Sequence, residues 1–92
     1  MKLSFGKKSY ANDRRRLNRL LKKANINFSY APLYDGYRWE FPDAQPNGDA
    51  VIHNFSYGNK YGHFETMGCD WDLGDVTELT AHELINRLLP KE

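Results

Sequence analysis

Tyr37-Arg38-Trp39-Glu40-Phe41 is the stretch that decides the fold. Aromatic rings alternate with charged side chains, the period of a strand with one face buried and one face wet. Upstream, Ile26, Phe28 and Tyr30 alternate with polar partners, and Pro32 closes the run. The Asp35-Gly36 pair between the two runs favours a hairpin turn. Downstream, residues 42–48 are rich in turn formers. A third strand is expected over about 50–56 and a fourth over about 63–69. They flank Tyr57-Gly58-Asn59-Lys60-Tyr61-Gly62, a hairpin tip bounded by glycine.

Helical periodicity brackets these strands. Leu17, Leu20, Leu21 and Ala24 recur at the spacing of one apolar stripe, so a helix is expected from about Ser9 or Asn12 to Ala24, with Asn25 as its cap. Asp13 in its first turn and Lys22 and Lys23 in its last suit the helix dipole. At the other end, Thr80 and Glu83 form a capping box and Leu79 and Leu84 a hydrophobic staple. Ala81, Leu84, Ile85 and Leu88 make the buried stripe, and Pro90 stops the helix. The order α-β-β-β-β-α, with hairpin-joined strands, predicts a single α+β domain over 1–92. It has an antiparallel four-stranded sheet and two helices packed on it. Residues 1–8 read as a basic, mobile arm.

Charge is split along the chain. Residues 1–24 hold nine of the thirteen Lys and Arg and one acid, while the rest holds eleven of the twelve acids. The net +1 therefore hides a dipolar molecule, which speaks to partners rather than to catalysis. No apolar run is long enough to span a membrane, and Met1–Lys8 lacks a secretory apolar region. With a lone Cys69 and no internal disulfide, a cytoplasmic protein is expected.

Several constellations could carry function. Arg14, Arg15, Arg16, Arg19, Lys22 and Lys23 crowd the first helix and could neutralise phosphates, or simply solvate a surface helix. No helix-turn-helix spacing, aromatic ribonucleoprotein signature or Cys/His finger accompanies them. Asp70, Asp72, Asp75 and Glu78 crowd the segment before the second helix and could dock on a basic partner. They do not make a calcium loop: counted from Asp70, the sixth position is Asp75 rather than Gly and the twelfth is Ala81 rather than Glu. Tyr57 and Tyr61 at the hairpin tip could serve recognition or fold back on the sheet. His53, His63, Glu65 and Cys69 are of the types zinc takes. If residue 53 stood opposite residue 65, His53, His63 and Glu65 would share one sheet face; a one-residue slip would part them. No C-x-x-C is present, and His82-Glu83 is not followed by the second His of H-E-x-x-H. Cys69 has acids after it and no cation beside it, so no activated nucleophile is read there. A binding protein without catalytic residues is expected, needing no cofactor and able to take zinc.

The stretches Trp39-Glu40-Phe41-Pro42-Asp43, Asp49-Ala50-Val51-Ile52-His53, Ser56-Tyr57-Gly58, Phe64-Glu65-Thr66-Met67-Gly68 and Leu79-Thr80-Ala81-His82-Glu83-Leu84 resemble a pattern in small proteins of phages and mobile elements of Gram-positive bacteria. The resemblance covers about residues 37–89 and leaves out the basic helix. Where that pattern usually has an acid in the final helix, this chain has His82. Proteins of this size and context include type II anti-CRISPR inhibitors, which bind Cas9. By analogy of size, charge and context the resemblance thus implies an inhibitor of a Cas9-type nuclease of the host cell. The charge split, independently, makes the acidic loop its contact surface, with the hairpin-tip tyrosines beside it as candidates.

Overall fold

The apolar stripe of the first helix meets the ringed face of the strand pattern. The computed structural model describes residues 10–43, 48–56, 58–67 and 77–89. The elements are α1 (Ala11–Lys23), β1 (Ser29–Leu33), β2 (Gly36–Phe41), β3 (Gly48–Ile52), β4 (Phe64–Met67), β5 (Thr77–Leu79) and α2 (Ala81–Leu88). The strands form one antiparallel sheet in the order β1-β2-β3-β4-β5. The fold is the expected α+β arrangement of two helices and an antiparallel sheet, to which the short β5 adds a fifth strand at the β4 edge. The expected arm over 1–8 lies outside the described residues.

Leu17 and Leu21 from α1, Trp39 and Phe41 from β2, Ala50 and Ile52 from β3, Phe64 from β4 and Ala81 and Leu84 from α2 form one buried core. The register explains why these residues meet. Trp39 stands opposite Ala50, Ala50 opposite Thr66, and Phe64 opposite Leu79, so all of them project from one sheet face. Both helices cover that face. The buried Trp39 indole donates to Asn18 Oδ1 at 2.7 Å, so its one polar group is satisfied.

Both helix termini follow sequence logic. The end of α1 is a Schellman motif: Ile26 N–H donates to the Leu21 carbonyl and Asn25 N–H to that of Lys22. Asn25 takes the left-handed conformation this needs, φ 58°, one residue beyond Ala24, the cap itself. At α2, Glu83 N–H donates to Thr80 Oγ1 at 3.1 Å, and Thr80 N–H donates to Glu83 Oε1 at 2.9 Å. That hydrogen bond, chiefly from the Thr80 backbone, holds the Glu83 carboxyl below its ordinary range.

The first hairpin differs from expectation in two ways. Its turn is Tyr34-Asp35, not Asp35-Gly36, because Leu33 pairs with Gly36. Gly36 serves another need: a Cβ there would lie 1.8 Å from the Ile52 carbonyl oxygen. Pro32 also lies inside β1 rather than ending it. Hydrogen-bonded and open pairs alternate from the turn outward, so Pro32 falls in an open pair and its missing N–H points off the sheet edge. The second hairpin is shorter than expected. β3 stops at Ile52, and the chain turns through Ser56, whose Oγ accepts from His53 N–H at 3.0 Å.

Candidate nucleic-acid interface

α1 lies over the sheet with one flank toward β2 and the other toward the second hairpin. On the β2 flank, Arg14 Nη1 donates to the Tyr37 hydroxyl at 2.8 Å, and its guanidinium sits 5.1 Å from the centroid of that ring. On the other flank, Arg16 pairs with the buried Asp13 at 3.1 Å and reaches the Gly62 carbonyl. Gly62 has a left-handed φ of 75°, and a Cβ there would crowd Asp13. Tyr10 donates to Asn59 Oδ1 at 3.2 Å, and burial, then the carboxylates of Asp35 and Asp13, push its phenol up from the ordinary value.

The six basic residues singled out in this helix therefore divide. Arg14 and Arg16 fasten the helix to the sheet and the hairpin. Arg15, Arg19, Lys22 and Lys23 are exposed. Arg15 touches Asn12, and among the described residues no carboxylate pairs with any of these four. They line the outer side of the helix, with Arg15 and Lys22 separated by about 10 Å along its axis.

Beside that helix the β1 edge shows aromatic rings. Tyr30 is 45% exposed, although its register partner Trp39 is buried. The Tyr30 ring stacks on Trp39 at 6.1 Å and on Phe28 at 6.4 Å, and meets Tyr37 edge-on at 6.2 Å. Alternation in the sequence marks Phe28 and Tyr30 as one face of a strand. It does not reveal that the strand is an edge whose rings α1 leaves uncovered.

The opposite sheet face is polar, and no described element packs on it. Arg38 binds Asp49 at 2.8 Å and Glu40 at 3.0 Å. The bond to Asp49 is the main reason the guanidinium is held still more firmly in its charged form. Glu65 stands opposite Glu78 in register. A shallow groove of ≈ 200 Å³ runs along β1, lined by residues 29–33 of that strand with Arg38 and Glu40 of β2.

Asp70, Asp72, Asp75, Tyr57 and Cys69 lie outside the described residues, and Glu78 is placed only by its backbone in β5. Tyr61 is 76% exposed, its ring 5.9 Å from that of His63. Among the described residues, His53, His63 and Glu65 do not converge on one position. The register sets Val51, not His53, opposite Glu65. His53 turns away beyond the end of β3 and accepts from Phe55 N–H through Nδ1 at 3.1 Å. Among the described residues, no three His, Cys, Asp or Glu side chains converge on a metal position.

One cluster went unread in the sequence. Tyr34 and Phe55 are each more than 70% exposed, yet they pack edge-on at 5.5 Å, with the His53 ring 5.0 Å from Tyr34. Tyr34 has φ 53°, a strained value for a bulky residue in a tight turn. No periodic signal marks this cluster, because its members come from two separate turns. No described helix is long and apolar enough to cross a membrane. The chain matches no protein-family model, no curated protein and no solved structure.

Proposed function

We propose that the chain is a non-catalytic binding module that engages nucleic acid through α1. One observation carries the reading: Arg15, Arg19, Lys22 and Lys23 are exposed along one helix face with no described carboxylate pairing them, while Arg14 and Arg16 anchor the helix. A row of cations on one helix face, paired by no described carboxylate, suits phosphate, since each contact releases a condensed counterion. A bacterial cytoplasm is the setting this reading supposes. Binding of labelled nucleic acid at low salt tests it; no binding by the intact protein at low salt would refute it.

A second reading is favoured by the acids that crowd residues 70–78 in the sequence, which a Lys- or Arg-rich partner would neutralise. In this reading the open sheet face and the acids at 70, 72, 75 and 78 dock on a nucleic-acid-processing protein, with a Cas9-type nuclease the partner to assay first. Reversing Asp70, Asp72, Asp75 and Glu78 should then abolish inhibition of target cleavage. Undiminished inhibition after reversal rules out charge mimicry, and no inhibition by the intact protein rules out that target.

A further inference from the structure

We infer that the nucleic acid α1 accepts is single-stranded, its bases stacking on the exposed Tyr30 ring of the β1 edge; the inference rests on the phosphate-binding reading above. Asn18 reaches Trp39 and Arg14 reaches Tyr37, so this flank of α1 faces the β1–β2 side of the sheet. The opposite flank, through Arg16, faces Gly62. Around the helix axis, Lys22 lies about 40° and Arg15 about 60° from Asn18, both turned outward, while Leu17 and Leu21 turn the other way into the core. Lys22 and Arg15 are thus tilted toward the side where Tyr30 shows its ring, while Arg19, about 100° from Asn18, points outward and Lys23, about 140° from it, lies toward the Arg16 flank.

That ring belongs to a preformed stack. Phe28, Tyr30 and Trp39 succeed one another at 6.4 and 6.1 Å with interplanar angles of 27° and 26°. Trp39 is buried, Phe28 is half-buried, and Tyr30 is exposed at 45%. A buried base beneath an exposed ring fixes the ring's orientation, so an unpaired base stacking on it loses little entropy. Every base has a π-face, so such a surface would tolerate sequence while the cations beside it hold the backbone. A duplex keeps its bases stacked on one another and could use only the cations. No acid stands among the exposed helix residues Asn12, Arg15, Arg19, Lys22 and Lys23 to repel a phosphate chain.

Fluorescence anisotropy with labelled oligothymidylate, oligouridylate and a DNA duplex of equal length tests this, at low salt and on the full chain. Both single strands should bind about ten-fold or more tightly than the duplex, and a preference between the two tells DNA from RNA. Tyr30→Leu should weaken single-strand binding about five-fold or more and leave duplex binding unchanged, while Tyr30→Phe should retain both. Unchanged thermal unfolding of the Phe variant guards against a trivial packing loss. Equal affinity for duplex and single strand, or a Tyr30→Leu protein that binds single strands like the parent, overturns the stacking inference and leaves phosphate binding by α1 standing. Absence of binding to all three overturns both.

Discussion

Trp39 with Asn18, and Gly36, each meet a specific requirement of the fold. Trp39 is fully buried and Asn18 supplies the acceptor for its indole N–H. Asn18→Ala should therefore cost about 1–3 kcal/mol, because the donor remains buried without a partner. Chemical denaturation measures it directly. Trp39→Phe in the same background should recover part of the loss, since the orphaned donor is then gone. Gly36 is fixed by the Ile52 carbonyl that would meet a Cβ at 1.8 Å. Gly36→Ala must part β2 from the end of β3, and a loss of about 1–3 kcal/mol or more is expected from overpacking. At Tyr34 the balance is different. Its positive φ is costly, yet its ring packs against His53 and Phe55. Tyr34→Gly removes strain of about 1 kcal/mol along with the ring contacts, so stability should change little.

At the scale of elements, local signals were legible where they were complete within a few residues. The capping box and the α1 stripe appear where spacing sets them, the first because backbone donors at helix ends demand nearby acceptors. Strand limits were less legible. Pro32 looked like a terminator, but at an edge its missing N–H has no pairing to break. β5 was unreadable, since three residues carry no period and gain their pairing only from β4. Likewise the exposure of Tyr30 depends on where α1 stops short of the sheet edge, which no local pattern encodes. The α2 cap also makes a pH prediction. Glu83's carboxyl is held below its ordinary range in the folded chain, first by the Thr80 backbone N–H. The folded state therefore takes up that proton less readily than the unfolded chain. The stabilisation is present above the ordinary Glu value and disappears as pH falls through the lowered folded value. Glu83→Gln should flatten this part of the acid limb of stability followed by circular dichroism, and Thr80→Ala should cost about 1 kcal/mol at neutral pH.

At the scale of the whole molecule, part of the charge split along the sequence becomes a split across layers of the described residues. The exposed cations lie on the outer side of α1, above one sheet face, while Glu40, Asp49 and Glu65 lie on the other. Arg38 sits among those acids and partly offsets them through its bonds to Glu40 and Asp49. On the helix side Asp13 pairs Arg16, but no described carboxylate pairs Arg15, Arg19, Lys22 or Lys23, which is why their face carries the functional reading. A molecule of this kind should orient in the field of a polyanion with its helix layer inward. The account stands most directly on the salt dependence of binding to an oligothymidylate. Four phosphate contacts on a single strand predict a slope of log affinity against log salt of about −3, or about a fifty-fold loss between about 50 and 200 mM salt. Replacing Arg15, Arg19, Lys22 and Lys23 with Gln should bring that slope close to zero. A parent protein with no measurable binding at low salt, or a fourfold variant whose slope matches the parent's, would contradict the account.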